Sequence, residues 1–83
     1  MESFRHYSSN EDGDLTFTFY KTFTLEGMQF LVIASDFNSK FQMFHMQKED
    51  KQWKIIDAEK LPGWILKVET DLSKTIENSL VFA

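Results

Sequence analysis

The sequence predicts an α+β fold, a four-stranded antiparallel meander sheet with one C-terminal helix packed on one face (ββββα). Three observations predict it. Residues 15–25 alternate apolar and polar side chains, three further apolar segments are separated by short polar turns, and apolar residues after Pro62 recur every three or four positions. A chain of 83 residues has room for one domain, residues 1–83. Its polar beginning, residues 1–14, is expected to form an N-terminal arm or loop.

The first predicted strand is residues 15–25. One side of it carries Leu15, Phe17, Phe19, Phe23 and Leu25, and the other carries Thr16, Thr18, Tyr20, Thr22 and Thr24. Strict alternation of β-branched and aromatic residues is typical of a half-buried strand. Lys21 interrupts the apolar side, and an inward-pointing lysine is one way of protecting an edge strand from further pairing. We therefore expect this strand at the edge of the sheet.

The next three strands follow after short turns. Residues 25–27 are expected to form a three-residue loop with a bulge, in which Gly27 adopts the left-handed conformation. Residues 28–37 form the second strand, whose nearly continuous apolar run indicates a central position. Residues 41–48 and 52–58 form the third and fourth strands, with apolar residues on both sides.

The helix is predicted from residue 62 to about residue 80. Pro62 is suited to a first helical turn. A single apolar stripe follows, made of Leu61, Ile65, Val68, Leu72, Ile76 and Leu80. At 1.5 Å per residue such a helix is about 28 Å long, which is enough to cross four strands.

Tracing the side-chain alternation through these turns predicts two apolar sheet faces. The helix-covered face collects Leu15, Phe17, Phe19, Phe23, Leu31, Ile33, Phe37, Phe44, Met46, Trp53 and Ile55. The second face collects Tyr20, the four threonines of the first strand, Met28, Phe30, Val32, Ala34, Phe41, Met43, His45, Ile56 and Ala58. A one-residue change in any turn would exchange the faces of one strand. The candidate interface residues on the second face are Tyr20, Phe30, Val32, Phe41, Met43, His45 and Ile56.

One helix covers one face, so the second face needs another cover. Either the N-terminal arm folds back with Phe4 and Tyr7, or the face meets a second copy or a different protein, or it holds a ligand. Contiguous exposed apolar side chains are unusual on a monomer and typically mark an interface. The sequence therefore favours a small acidic protein-interaction module that forms a homodimer or docks on a partner protein.

The charge balance bears on the alternative, a sheet that binds single-stranded nucleic acid. Thirteen acidic and nine basic residues give a formal net charge of -4, which disfavours attraction to phosphates. In topology alone, four strands followed by a helix resemble the unit of Pur-type single-strand binders, whose exposed aromatic residues stack on bases. That resemblance implies stacking by Tyr20, Phe30 and Phe41.

No pattern of residues predicts catalysis, a metal site or a cofactor. His6 and His45 are far apart in sequence, and neither belongs to a zinc-binding motif. The acidic residues around Gly13 do not match the spacing of a calcium-binding loop. The protein is therefore not expected to be an enzyme.

The sequence also predicts a cytoplasmic location. It contains no cysteine, which is compatible with a reducing compartment. Its longest uninterrupted apolar stretch, residues 30–34, is far too short to span a membrane, so no membrane partner is expected.

Overall fold

The computed structural model describes residues 3–10, 13–36 and 40–81. Within them, five antiparallel strands form one sheet in the order β1-β2-β3-β4-β5. The strands are β1 (Ser3–Asn10), β2 (Gly13–Thr24), β3 (Gly27–Ser35), β4 (Phe41–Glu49) and β5 (Gln52–Ile55), followed by a 3₁₀ helix (Ala58–Lys60) and the helices α1 (Gly63–Leu66) and α2 (Glu69–Val81). The α+β class and the antiparallel meander ending in a C-terminal helix are confirmed, with five strands instead of four.

The additional strand is β1, within residues 1–14, which were predicted to be an arm or loop. It pairs with β2 from Ser3 opposite Tyr20 to Asn10 opposite Gly13. The phenyl ring of Phe4 stacks on that of Phe19, with ring centroids 4.7 Å apart. Consequently β2 lies between β1 and β3, and its predicted position at the sheet edge is wrong. Residues 1, 2, 11 and 12 of the predicted arm or loop lie outside the described residues. Phe37, which was predicted on the helix-covered face, also lies outside them.

The β2–β3 turn is one residue shorter than predicted. Thr24 pairs directly with Gly27, so Leu25 and Glu26 alone form the loop, with no bulge. The Thr24 hydroxyl accepts a hydrogen bond from the Glu26 N–H (3.1 Å) and donates one to the Gly27 carbonyl (3.0 Å). Gly27 itself lies at φ 118°, a conformation that favours glycine.

The shorter turn exchanges the two faces of β3. Cross-strand partners point to the same side of a sheet, and Val32 pairs with both Phe19 and Phe44. The even-numbered residues of β3 therefore face the helices, and Leu31 and Ile33 lie on the other side. We call that other side the open face. The predicted assignment of β3 was the reverse and is wrong.

The core fills the space between the covered face and the helices. Its buried members are Leu15, Phe17, Phe19, Phe30, Val32, Ala34, Phe44, Met46, Trp53, Ile55, Ile65, Val68, Leu72 and Ile76. The rings of Phe30 and Trp53 meet edge to face at a centroid distance of 5.1 Å, a geometry that adds to the burial of both rings.

The predicted helix over residues 62–80 is present but divided. Pro62 precedes α1 in an extended conformation, as its N-cap. The chain passes from α1 to α2 through Lys67 and Val68, where the Val68 N–H bonds to the Ile65 carbonyl at 3.1 Å. This tighter turn keeps Ile65, Val68 and Leu72 in one buried stripe, so the predicted periodicity is preserved across the break.

Candidate functional site

The open face is organised in rows that run across the strands. In one row, Thr18, Ile33 and Met43 lie side by side on β2, β3 and β4. In the next row, Tyr20 and Leu31 are followed by His45. The N–H of Ile56 bonds to the His45 carbonyl at 2.9 Å, which continues the second row to Ile56, the residue that follows β5.

A third row has large side chains at its two ends and small ones between. It runs from Tyr7 on β1 through Thr16 and Ser35 to Phe41 on β4. Tyr7 is 68% exposed and Phe41 is 66% exposed. Their neighbours in the row are Thr16 and Ser35, so the two exposed rings are the large side chains of this row.

The apolar centre of the open face is formed by the open-face patch, which we define as Leu31, Ile33, Phe41, Met43 and Ile56. Met43 is 62% exposed, whereas Leu31, Ile33 and Ile56 are half-buried by neighbouring side chains. The opposite face of the same strands is filled by the core. The patch is therefore apolar surface that the described residues leave exposed to water.

The structure brings five of the seven predicted interface residues together on the open face, namely Tyr20, Phe41, Met43, His45 and Ile56. The other two, Phe30 and Val32, are 0% exposed beneath the helices, and their predicted position on the second face is wrong. Leu31 and Ile33 take their places. Sequence reasoning missed these two because it made the β2–β3 loop one residue too long.

Basic side chains on the open face are few. Within the described strands they are Arg5, on β1, and Lys54, on β5 at the opposite side of the sheet. The Lys54 ammonium also lies 3.7 Å from the Glu69 carboxylate, which offsets its charge. Lys60, on the 3₁₀ helix, also lines a hollow with Met43, His45 and Ile56. The described strands themselves do not place beside the exposed aromatic rings the basic stripe that single-stranded nucleic acid requires.

The two histidines lie on opposite faces of the sheet. His45 is exposed on the open face, whereas His6 lies on the covered face. The centroid of the His6 ring is 6.3 Å from the centroid of the Phe17 ring. Across the residues that the structure describes, no three side chains of the metal-binding types come together.

Polar side chains of helix α2 form hydrogen bonds with the outer edge of β5. Ser73 accepts a hydrogen bond from the Trp53 N–H (3.0 Å), and Glu69 accepts one from the Ile55 N–H (3.0 Å). Glu77 accepts one from the indole N–H of Trp53 (3.1 Å). Residues 69, 73 and 77 are four apart, so they share one side of α2. Ser73 and Glu69 occupy the outward backbone N–H groups of Trp53 and Ile55, and so block this edge against another strand.

This blocked edge gives a direct prediction for Ser73→Ala. The variant leaves the buried Trp53 N–H without its acceptor, and we expect the free energy of unfolding to fall by about 1–3 kcal/mol. Thr75→Ala is the matched control, because that hydroxyl bonds only to the exposed Asp71 carbonyl within α2. It should change the stability by less than about 0.5 kcal/mol. Equal losses for both variants in urea unfolding would contradict the assigned role of Ser73.

The fold and the open face together define a small α+β domain with one covered and one exposed sheet face. In comparisons with known proteins, no protein-family model, no curated protein and no solved structure matches the chain. None of the helices in the described ranges is long and apolar enough to cross a membrane.

Proposed function

We propose that this chain is a protein-interaction module, without catalytic activity, that binds another protein through its open face. The observation that carries the proposal is the open-face patch. Phe41 and Met43 are largely exposed beside Leu31 and Ile33, on a sheet whose other face is already filled. Removing apolar surface from water contributes about 25 cal/mol per Å² before the entropic cost of association is subtracted. Contiguous patches of this kind typically mark interaction sites.

The size of the open face suits a protein partner. Five strands about 4.8 Å apart, each contributing about seven residues at 3.4 Å, span roughly 24 Å by 24 Å. The resulting area, about 600 Å² before side-chain relief is counted, is of the same order as the ~800 Å² that each partner buries in a standard interface. The partner is a second copy of the chain or a different protein with an apolar, weakly charged surface.

The surroundings of the patch fit the same proposal. Gln29 and Gln47 face each other at one end of the open face, where they form an uncharged polar border. An apolar centre with a polar border is the usual anatomy of a protein interface. As part of the proposal we place the protein in the cytoplasm, which the absence of cysteine supports.

The test is Met43→Asp. Its side chain points to solvent, so the fold should persist. Binding through the open face should be lost, because an unpaired carboxylate buried in an interface costs several kcal/mol. Self-association would be measured by sedimentation equilibrium, and proteins retained from a lysate would be compared between the wild type and this variant. Leu66→Asp, at an exposed position on α1, is the matched control and should retain every interaction.

Three results would contradict the proposal. The first is that Met43→Asp keeps all the association of the wild type. The second is that the wild type associates with no protein. The third is tight, salt-sensitive binding to a fluorescent thymidine oligonucleotide that Phe41→Ala removes. That result would favour the nucleic-acid alternative, in which exposed rings stack on bases.

A further inference from the structure

The two edges of the sheet are treated differently by the rest of the chain. At β5, side chains of α2 occupy the outward backbone donors, as described above. At the other edge, β1 pairs with β2 on one side, and no other described strand lies on its second side. A free strand edge is a template for pairing with a further strand.

The register identifies which backbone groups of β1 point outward. Antiparallel partners alternate between hydrogen-bonded and non-hydrogen-bonded pairs, and the pair that closes a two-residue loop is hydrogen-bonded. At β4–β5 the observed bond between His45 and Ile56 follows this alternation. In β1, Asn10 and Gly13 close the loop. The even-numbered residues therefore bond to β2, and the backbone groups of Ser3, Arg5, Tyr7 and Ser9 point away from the sheet.

We propose that β1 of a second copy pairs antiparallel with this edge, which gives a continuous ten-stranded sheet with two-fold symmetry. The register is centred on His6, so that Arg5 lies opposite the partner's Tyr7, and Tyr7 lies opposite the partner's Arg5. All four outward residues then find partners, and the strands exchange roughly eight backbone hydrogen bonds.

The side chains select this register over its neighbours. A shift of two residues in one direction places Arg5 opposite the partner's Arg5, and like charges directly opposite are destabilising. A shift of two residues in the other direction removes the outward backbone N–H and C=O groups of Ser3 from the pairing. The centred register instead forms two cross-strand pairs of a guanidinium with a tyrosine ring, a favourable cation–π contact.

The blocked edge at β5 explains why the partner is a second β1. Pairing of β1 with the β5 edge of another copy would repeat without closing and would build a filament. The bonds from Glu69 and Ser73 prevent it. Pairing of β1 with β1 is self-complementary and closes at two copies.

The inference does not depend on the proposed function, although it extends it. The two-fold axis is perpendicular to the sheet, so both open faces lie on the same side of the joined sheet. The dimer thus presents two open-face patches side by side, and a partner with two sites would bind it with increased avidity.

Changing the charges of residues 5 and 7, which lie opposite each other in the proposed β1–β1 pairing, tests its register. Tyr7 is exposed, so Tyr7→Lys should fold normally. It places two lysine–arginine pairs across the edge, and the dimer dissociation constant in sedimentation equilibrium should rise at least tenfold. Arg5→Glu combined with Tyr7→Lys creates two opposite-charge pairs and should restore the constant to within about threefold of the wild type. A wild type that stays monomeric at high micromolar concentration, or a double variant that fails to restore dimerisation, would overturn the proposal.

Amide exchange provides a second measurement on the unmodified chain. The N–H groups of Arg5 and Tyr7 should exchange slowly in the dimer and quickly after dilution. The N–H of His6 bonds to β2 and should be protected in both states, so it serves as the internal control. Equal protection of all three amides at every concentration would contradict pairing at this edge.

Met43→Asp separates this proposal from the previous one. Residue 43 lies at the centre of the open face and not on β1, so this variant should leave the β1 dimer intact. If it dissociates the dimer while the charge exchange has no effect, the two copies meet through their open faces. That outcome would overturn the β1 pairing and support the proposed function. A monomeric wild type would overturn the β1 pairing alone, because the open face could still bind a different protein.

Discussion

Val32→Asp is expected to unfold the protein, whereas Ile33→Asp, one position further along the same strand, is expected to leave it folded. Val32 is 0% exposed and lies between Phe19 and Phe44 beneath the helices. A carboxylate at this position has no partner and no access to water, which costs several kcal/mol. Small domains are stable by only about 5–15 kcal/mol, and the lost packing of the valine adds to the penalty.

Ile33 provides the control because it points the opposite way. It is half-buried on the open face, beside Thr18 and Met43, where a carboxylate reaches water. The remaining cost is the poorer fit of aspartate to a strand, about 1 kcal/mol. Circular dichroism and urea unfolding would measure both variants. If Ile33→Asp unfolds the chain and Val32→Asp does not, the register of β3 is shifted by one residue, as the longer loop would require.

The opposite expectation follows from the sequence alone, and the reason is physical. Residues 28–34 are apolar at nearly every position, so neither side of β3 is marked as the inner one. The assignment then depends on the length of the preceding loop, and a single residue reverses it. For β2 the same reasoning succeeds, because threonines alternate with Phe17 and Phe19 and identify the buried side without reference to any turn.

β1 shows a different limit. Within Ser3–Asn10 the large apolar side chains are Phe4 and Tyr7, which fall on opposite sides of the strand, so the segment has no visible alternation. Its conformation is determined by its neighbour, since β2 supplies the edge that it pairs with and the Phe19 ring on which Phe4 stacks. A segment whose structure depends on tertiary contacts in this way leaves little signal in its own residues.

The blocked edge at β5 could not be predicted either. On a helical wheel, Glu69, Ser73 and Glu77 form a polar row beside the apolar stripe, a pattern that usually indicates a solvated helix face. Their role depends on the position of α2 along the outer side of β5, where two backbone N–H groups need acceptors. The row is visible in the sequence, but the donors that it serves are identified only by the sheet register.

Trp53→Ala is expected to have the second large effect on stability, a loss of about 3–5 kcal/mol. Trp53 is 1% exposed and is the largest of the fully buried side chains. Its ring contacts that of Phe30, and its indole N–H donates to the Glu77 carboxylate. The variant removes both interactions and leaves a cavity between β5 and α2, which the surrounding core fills only in part.

Trp53→Phe separates the contribution of the ring from that of the hydrogen bond. Phenylalanine retains the edge-to-face contact with Phe30 but cannot donate to Glu77. That carboxylate still has Lys48, whose ammonium lies 3.3 Å away, so it is not left without a partner. The loss should therefore be smaller, about 1–2 kcal/mol, including the reduced ring size. Urea unfolding followed by circular dichroism would give both values. Equal losses for the two variants would mean that the indole hydrogen bond, and not the packed ring, anchors β5 to helix α2.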